Sequence, residues 1–441
     1  MCHRGGRRSP PQSEREAGRL ATGTVVLRGA RGQEGIWVTP RGVGSIDDIW
    51  PGRERCAVVG VGSTEFSRGS GRSELRMAAE AVDAALADAG ISPGDVDGLV
   101  RCDMENVSAV ALADTIGARN LTFWADTGAG GAAPCGQIGL AVGAIISGQA
   151  STVVCFRSIA WATGGGVGAG QRGSTRPVGG HGSYEEFFVP YGLLLPVSTY
   201  AIMARRHMIE YGTTAEQLGS IAVTCRQRAG ANPSAQMHGR SLDMRAYLES
   251  RMISSPLRRH DCCLVSDGAC AVVVTALERA RDCEKKVIAI RAVAQSSGAR
   301  VGPGLLAPTL TRPSLTTWPS ATVARTLYRR AGIGPSEVDV AQLYDCFTPT
   351  VLIQLEDYGF CPKGEGGPFA ESGAIDLDGS IPINTAGGNL SEGYIHGMNH
   401  VVEGVRQLRG ESSSTVPGAE ICLVTSGPPP ATSAMILRRG S

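Results

Sequence analysis

One stretch near the start of the chain returns near its end. AALADAGISPGDVDGLV, residues 84–100, is answered by TLYRRAGIGPSEVDVAQLY at 326–344, and the shared string AGIxPx(D/E)VD is displaced by 242 residues, from Ala89 to Ala331. Each copy reads as a helix end, a glycine turn, a proline-opened segment and a strand. A second pair is looser. The glycine-rich loop, helix and glycine before Thr152 are echoed by the loop around Gly388, a helix at 398–408, Gly410 and a strand at 421–425. Repeats this long imply two copies of one α/β unit rather than a solenoid. The chain therefore reads as a duplicated, pseudo-twofold α/β protein.

Each half opens on a strand, CAVVGVGSTEF from Cys56 and VIAIRAVAQSSG from Val287, and SDGACAVVVTALERARD (266–282) reads as the last strand and helix of the first half. The expected organisation is an N-terminal half at 55–286 and a C-terminal half at 287–441. Within the first half, 157–260 is rich in Gly, Arg, Tyr and polar residues around the helical run TYAIMARRHMIEYG, and is expected to be an inserted loop domain covering one edge of the core. Residues 1–54 begin MCHRGGRRSPPQSEREAGRL, with adjacent arginines and no apolar segment behind them, and are expected to be a flexible extension.

Composition excludes several classes. With 42% hydrophobic and 19% charged residues the chain sits in the soluble globular range, and a net charge of +1 offers nucleic acid or an anionic membrane no electrostatic attraction. Residues 127–156 carry no charged side chain, yet their glycines, Pro134, glutamines and hydroxyl residues argue against a membrane span. A buried helix at about 138–147 and a core strand at 152–156 are expected instead. The thirteen cysteines form no CxxC pair, and Cys262 and Cys263 are adjacent, so neither a zinc site nor a thioredoxin motif is visible. Thiols scattered in this way imply a reducing cytoplasm. GVGST after the first strand lacks the last glycine of a dinucleotide fingerprint.

Two tyrosines stand where open α/β sheets place ligands. In VDVAQLYDCFTPTVLIQLEDYG the apolar run 338–343 predicts a strand, and Thr348 with Pro349 predicts the N-cap and first position of a helix, so Tyr344 and Asp345 fall at the strand's carboxyl end. Tyr394, in GGNLSEGYIHGMNH (387–400), lies just ahead of another helix. Backbone N–H groups and positive helix ends would face anything held there.

The duplicated halves, the insertion and the glycine-rich loops resemble the thiolase superfamily across nearly all of 55–441. The resemblance implies a layered αβαβα fold. In degradative thiolases the loops read NEAF, GGxxxxGHPxG and CxGGG, and the first half carries a nucleophilic cysteine. Laid on those patterns, the asparagine falls on Tyr344, the histidine on Tyr394, the second cysteine near Val424 or Thr425, and the nucleophile at about Gly131. Cys135 is displaced by about a helical turn, roughly 5.4 Å, and Cys422 by two or three residues, too far for either thiol to attack the same carbonyl.

YDxFT followed by GGNLSEGYIHGMNHVVEGVRQLRG is similar to the thiolase-like lipid-transfer proteins of actinobacterial steroid catabolism, supported by ARRHMIEYGTTAEQLGSIAVTCRQRAGANPSAQM, SRMISSPL and LEDYGFCPKGEGG. That group implies a steroid side-chain aldolase, a carbon–carbon lyase releasing propionyl-CoA from a 17-hydroxy steroid-22-oyl-CoA and leaving the 17-ketone. Retro-aldol cleavage needs a base, an acid and a donor to the developing enolate, and no acyl-cysteine. Tyr344 and Tyr394 are the expected acid/base pair, in either order. Asp345 can orient a phenol or start the helix, His396 can supply a proton or cap a loop, Asn389 can line the pocket, and His400 is expected to be structural. The loops at Gly387–Gly388 and Ser426–Gly427 are candidates for the enolate hole. The resemblance further implies a steroid-CoA substrate with no separate cofactor, a homodimer, and a small partner with a zinc ribbon and an OB-fold. A thiolase of unusual geometry and a non-catalytic acyl-CoA or sterol carrier are the alternatives.

Overall fold

The computed structural model describes residues 50–128, 130–164, 182–193, 196–298, 302, 306–427 and 431–440. The extension expected at 1–54 lies outside the described residues as far as 49. Residues 50–54 belong to the folded body, because Glu54 Oε1 accepts from Arg291 at 3.2 Å and from Arg438 at 3.1 Å.

The first half runs β1 (Cys56–Ser63), α1 (Glu74–Ala89), β2 (Gly98–Cys102), α2 (Ala109–Ile116), β3 (Phe123–Thr127), α3 (Ala133–Ile146) and β4 (Thr152–Ala160). The insertion holds α4 (Glu185–Phe188), α5 (Pro196–Tyr211), α6 (Ala215–Ala231), α7 (Met244–Leu248) and the small β5 (Met252–Ser254) and β6 (Leu257–Arg258). The half closes with β7 (Asp267–Ala276) and α8 (Leu277–Ala280). The second half runs β8 (Ile288–Ser296), α9 (Pro319–Ala331), β9 (Val340–Gln342), α10 (Thr348–Asp357), α11 (Gly366–Glu371), α12 (Gly388–Ser391), α13 (Met398–Arg409), β10 (Ile421–Ser426) and β11 (Thr432–Arg439).

The sequence echo is a structural one. Gly90 and Gly332 end α1 and α9 in the left-handed conformation, at φ 66° and 65°, and a single 3-10 turn opened by Pro93 or Pro335 leads from each into a strand. Strand order is β3-β2-β4-β7-β1-β8-β11-β10-β9, which reads as the same half written outward from β1 and β8. The pairings repeat too. β2 is parallel to β3 and β4, while β7 is antiparallel to β4 and β1. In the second half β9 is parallel to β10 and bridges Ile383 in parallel, while β11 is antiparallel to β10 and β8.

Helices α3 and α13 touch strands of both halves and form the middle layer, sharing one apolar core with residues such as Val58, Val153, Val272, Val424 and Leu437. Leu86 and Leu112 on α1 and α2 cover the outer face of the first half, and Leu327 and Leu352 on α9 and α10 that of the second. This is the layered αβαβα arrangement. Among the described residues no single helix is long and apolar enough to cross a membrane.

The insertion packs through α6 on α10, α11 and α12 of the second half. Three local expectations are corrected. β4 continues to Ala160, so Arg157, placed at the start of the insertion by sequence, is part of the sheet. The strand expected at 338–343 is shortened to Val340–Gln342, and the cap of α10 is Phe347, because the Thr348 hydroxyl donates at 2.5 Å to Asp261 of the insertion.

Candidate active site

Tyr344 leaves the end of β9 with its backbone held on both sides. Its N–H donates to Thr425 Oγ1 at 2.9 Å, and its carbonyl accepts from Gln354 Nε2 at 2.7 Å. Tyr394 is fixed by its N–H, which donates to Ser266 Oγ at 3.0 Å. The two loops bring the phenols together. The Tyr344 and Tyr394 hydroxyl oxygens are 2.9 Å apart, and both side chains are buried. At that distance one hydroxyl donates to the other, so a proton can be shared along the contact. Burial pushes both hydroxyls well above the ordinary tyrosine range. On Tyr394 the Tyr344 hydrogen bond and the Arg157 charge oppose that push, whereas on Tyr344 the neighbouring phenol adds to it.

Glycine makes the space. A β-carbon on Gly131 would stand 2.1 Å from the Tyr344 hydroxyl oxygen, so the phenol fills the volume that a side chain there would need. At Gly388, φ is +61° and a β-carbon would meet Asp345 Oδ2 at 2.2 Å, so only glycine fits both the conformation and the contact.

The other candidates divide. Asp345 makes no hydrogen bond to either phenol among the described residues: Oδ1 accepts from the Asn389 amide at 2.7 Å and meets His400 Nε2 at 2.9 Å, and Oδ2 accepts from the Leu390 amide at 3.2 Å. It holds α12 in place, with His400 and Cys225 as side-chain partners. His396 packs edge-on against Tyr394, ring centroids 5.3 Å apart, and against Trp161 at 4.9 Å. Asn389 is fully buried, and neither atom of its side-chain amide has a hydrogen-bond partner among the described residues. Two proposed enolate donors are engaged elsewhere. The Gly387 N–H donates to Asn384 O at 2.8 Å, and the Gly427 N–H donates to Gly131 O at 2.7 Å, which ties the two facing loops together.

Residues 308–438 match the family described as Thiolase C-terminal domain-like. A 17-hydroxy-3-oxo-4-pregnene-20-carboxyl-CoA lyase of Mycobacterium tuberculosis is 43% identical over 384 residues, spanning 87% of this chain and 99% of that one. A steroid side-chain-cleaving aldolase of Thermomonospora curvata is 41% identical over 382 residues, spanning 86% and 97%. The chain belongs to the steroid side-chain-cleaving aldolases. Among solved structures, an Ltp2-ChsH2(DUF35) aldolase superposes with a TM-score of 0.82 at 40% identity, covering 88% of this chain and 98% of that one.

In this aldolase neither displaced cysteine is a nucleophile in waiting. Cys135 lies inside α3, its thiol 3.4 Å from the Val424 carbonyl, and burial pushes it up to about 12. Burial also drives Cys422, on β10, well above the ordinary thiol range. A thiol so held gives almost no thiolate near neutrality.

Sequence reasoning missed Trp161, whose ring packs on Tyr394 with centroids 5.3 Å apart, Arg157, which donates to His396, and Glu105, which accepts from Arg157. Arg157 read as the first residue of a polar insertion, and its partner Glu105 stands 52 positions earlier. The only available signal was the charge itself, a lone arginine directly after the apolar run 152–156.

Proposed function

We propose that this aldolase cleaves a β-hydroxyacyl-CoA by tyrosine-mediated retro-aldol chemistry, its substrate being a 17-hydroxy steroid-22-oyl-CoA and its products a 17-ketosteroid and propionyl-CoA. The 2.9 Å contact between the Tyr344 and Tyr394 hydroxyls carries the reading. Tyr394, where the Tyr344 hydrogen bond and the Arg157 charge offset part of the effect of burial, takes the proton of the 17-hydroxyl as it gives up its own. The electron pair of the breaking carbon–carbon bond passes to the thioester as an enolate, and Tyr344 delivers its proton to the carbanion carbon. Transfer from Tyr394 to Tyr344 across their contact resets the pair, so no proton is gained or lost. Gly388 and Ser426 stay as candidate backbone donors to the enolate, and coenzyme A enters only as part of the substrate.

The name of the Ltp2-ChsH2(DUF35) aldolase couples that protein to a second component. This aldolase accordingly acts with a small zinc-ribbon and OB-fold partner, as a homodimer, in a reducing cytoplasm. The twelve free cysteines among the described residues support the last point.

The test is propionyl-CoA release from a 17-hydroxy steroid-CoA, with the partner protein present. Tyr344→Phe and Tyr394→Phe are each expected to lose activity by about 10²-fold or more while remaining folded. Near-normal turnover by either variant removes the acid/base pair. An acyl group trapped on a cysteine would mark a thiolase, and binding without turnover a carrier.

A further inference from the structure

Behind His396 runs a buried chain of charge that joins the two halves. Arg157 Nε donates to His396 Nδ1 at 3.1 Å, and Arg157 Nη1 donates to Glu105 Oε2 at 2.8 Å and to the Ser158 carbonyl at 2.9 Å. Glu105 is fixed in turn: its Oε2 accepts from the Ser158 N–H at 2.8 Å and its Oε1 from the Val107 N–H at 3.1 Å. The Arg157 and Glu105 side chains are 4% and 0% exposed. An ion pair this deep contributes little net stability that an apolar pair of equal volume would not, so packing alone does not explain it.

A guanidinium only donates. A ring nitrogen that accepts from it must carry a lone pair, which puts the proton of the neutral imidazole on Nε2. Among the described residues the Arg157 contact is the only hydrogen bond of the His396 ring. The His396 backbone is held at φ 52°, in the left-handed region that non-glycine residues occupy at a cost, and its ring is wedged edge-on between Trp161 and Tyr394. Burial, and then the Arg157 cation, hold the imidazole well below the ordinary histidine range.

We propose that Glu105 and Arg157 are positioning residues that lock His396 as its Nε2–H tautomer, and that this N–H is the donor to the thioester oxygen as it becomes an enolate. The inference rests on the retro-aldol reading of the same pocket. A neutral donor suits that chemistry: it shares its proton with the enolate oxygen without surrendering it, so protonation falls on carbon, from the phenol. The ionisable groups around His396 are Arg157 of β4, Tyr394 in its own loop with Tyr344 beyond, and Cys102, Asp103 and Glu105 at the end of β2.

Two measurements on the full chain with its partner test this. The first is 15N NMR of the histidine rings, with His396 assigned by loss of its signals in His396→Gln. The wild type is expected to show a neutral Nε2–H ring from about pH 6 to about pH 9. An Nδ1–H ring, or an imidazolium in that range, overturns the proposal without any variant having to fold. The second is the pH profile of Arg157→Gln combined with Glu105→Gln, which removes both charges together. Its kcat is expected to fall by about 10²-fold with KM changed by less than about 3-fold, and a new acid limb is expected near 6.5 as the ring becomes free to titrate. Arg157→Lys, which keeps the charge but not the in-plane Nε–H, is expected not to rescue kcat. Full activity in Arg157→Lys, or an unchanged profile in the double variant, overturns it. Failure of the underlying reading is distinguishable: active Tyr→Phe variants would sink the retro-aldol chemistry while leaving the tautomer result intact.

Discussion

A β-carbon on Gly131 would also stand 2.6 Å from the Tyr344 ring carbon that bears the hydroxyl, and the ring is already closely packed, since a β-carbon on Gly397 would meet its Cδ2 at 2.8 Å. Gly131→Ala is therefore expected to displace Tyr344 and lower propionyl-CoA release by about 10²-fold, whereas Gly143→Ala in α3, where a β-carbon meets nothing within 4 Å, is expected to leave activity alone and raise stability by about 0.5–1 kcal/mol. Gly131→Cys is expected to form no acyl-enzyme detectable by mass spectrometry. The phenols were legible in the sequence because each sits in a local pattern, strand or glycine loop followed by helix, that fixes its place. Arg157 was not, since its role depends on Glu105 and His396, 52 and 239 positions away, and no local period carries that information.

Among elements, those whose ends are set locally were readable. The left-handed glycines after α1 and α9, and the prolines that follow them, depend on backbone sterics alone. The start of α10 was misread because Asp261, far along the chain, takes the Thr348 hydroxyl that would otherwise cap the helix. The partners of the insertion were not readable, since α6 packs on α10, α11 and α12 of the second half as well as on its neighbour α7. β3 carries a different message. It is an edge strand, and its Trp124 is 59% exposed. An open edge with an exposed indole invites pairing with another copy of the chain. Trp124→Lys is expected to abolish the proposed homodimer in sedimentation velocity, and a dimer that survives it would place the interface elsewhere.

At the level of the molecule, the duplication set the strand order and the layers, and both followed from the echoed segments. What the echo could not reveal is the pair of buried carboxyls under the active-site loop. Burial, and then the nearby Glu403, push Glu392 up to about 8, with Asn399 Nδ2, at 3.1 Å, the only side-chain donor to it among the described residues. Because the folded value lies above the unfolded one, the native state holds a proton that the unfolded chain releases. Stability from this group is complete below about pH 4.5, declines by up to roughly 1.4 kcal/mol per unit as pH rises, and levels off above about 8. Glu392→Gln is expected to flatten urea-derived stability between pH 5 and pH 8 (about that window) and to be the more stable form at about pH 9. A slope identical to wild type would assign the pH dependence to other groups.

The Gly427 amide reaches the Gly131 carbonyl, and Arg157 reaches His396, so the pocket straddles the pseudo-twofold axis and draws on both halves. An ancestor built of two identical halves would have set like groups on either side of that axis, whereas a phenol pair from one side and a guanidinium from the other are unlike by necessity. The two copies are thus interdependent: each holds only its own share of the groups, and neither can be cut away to leave a working half.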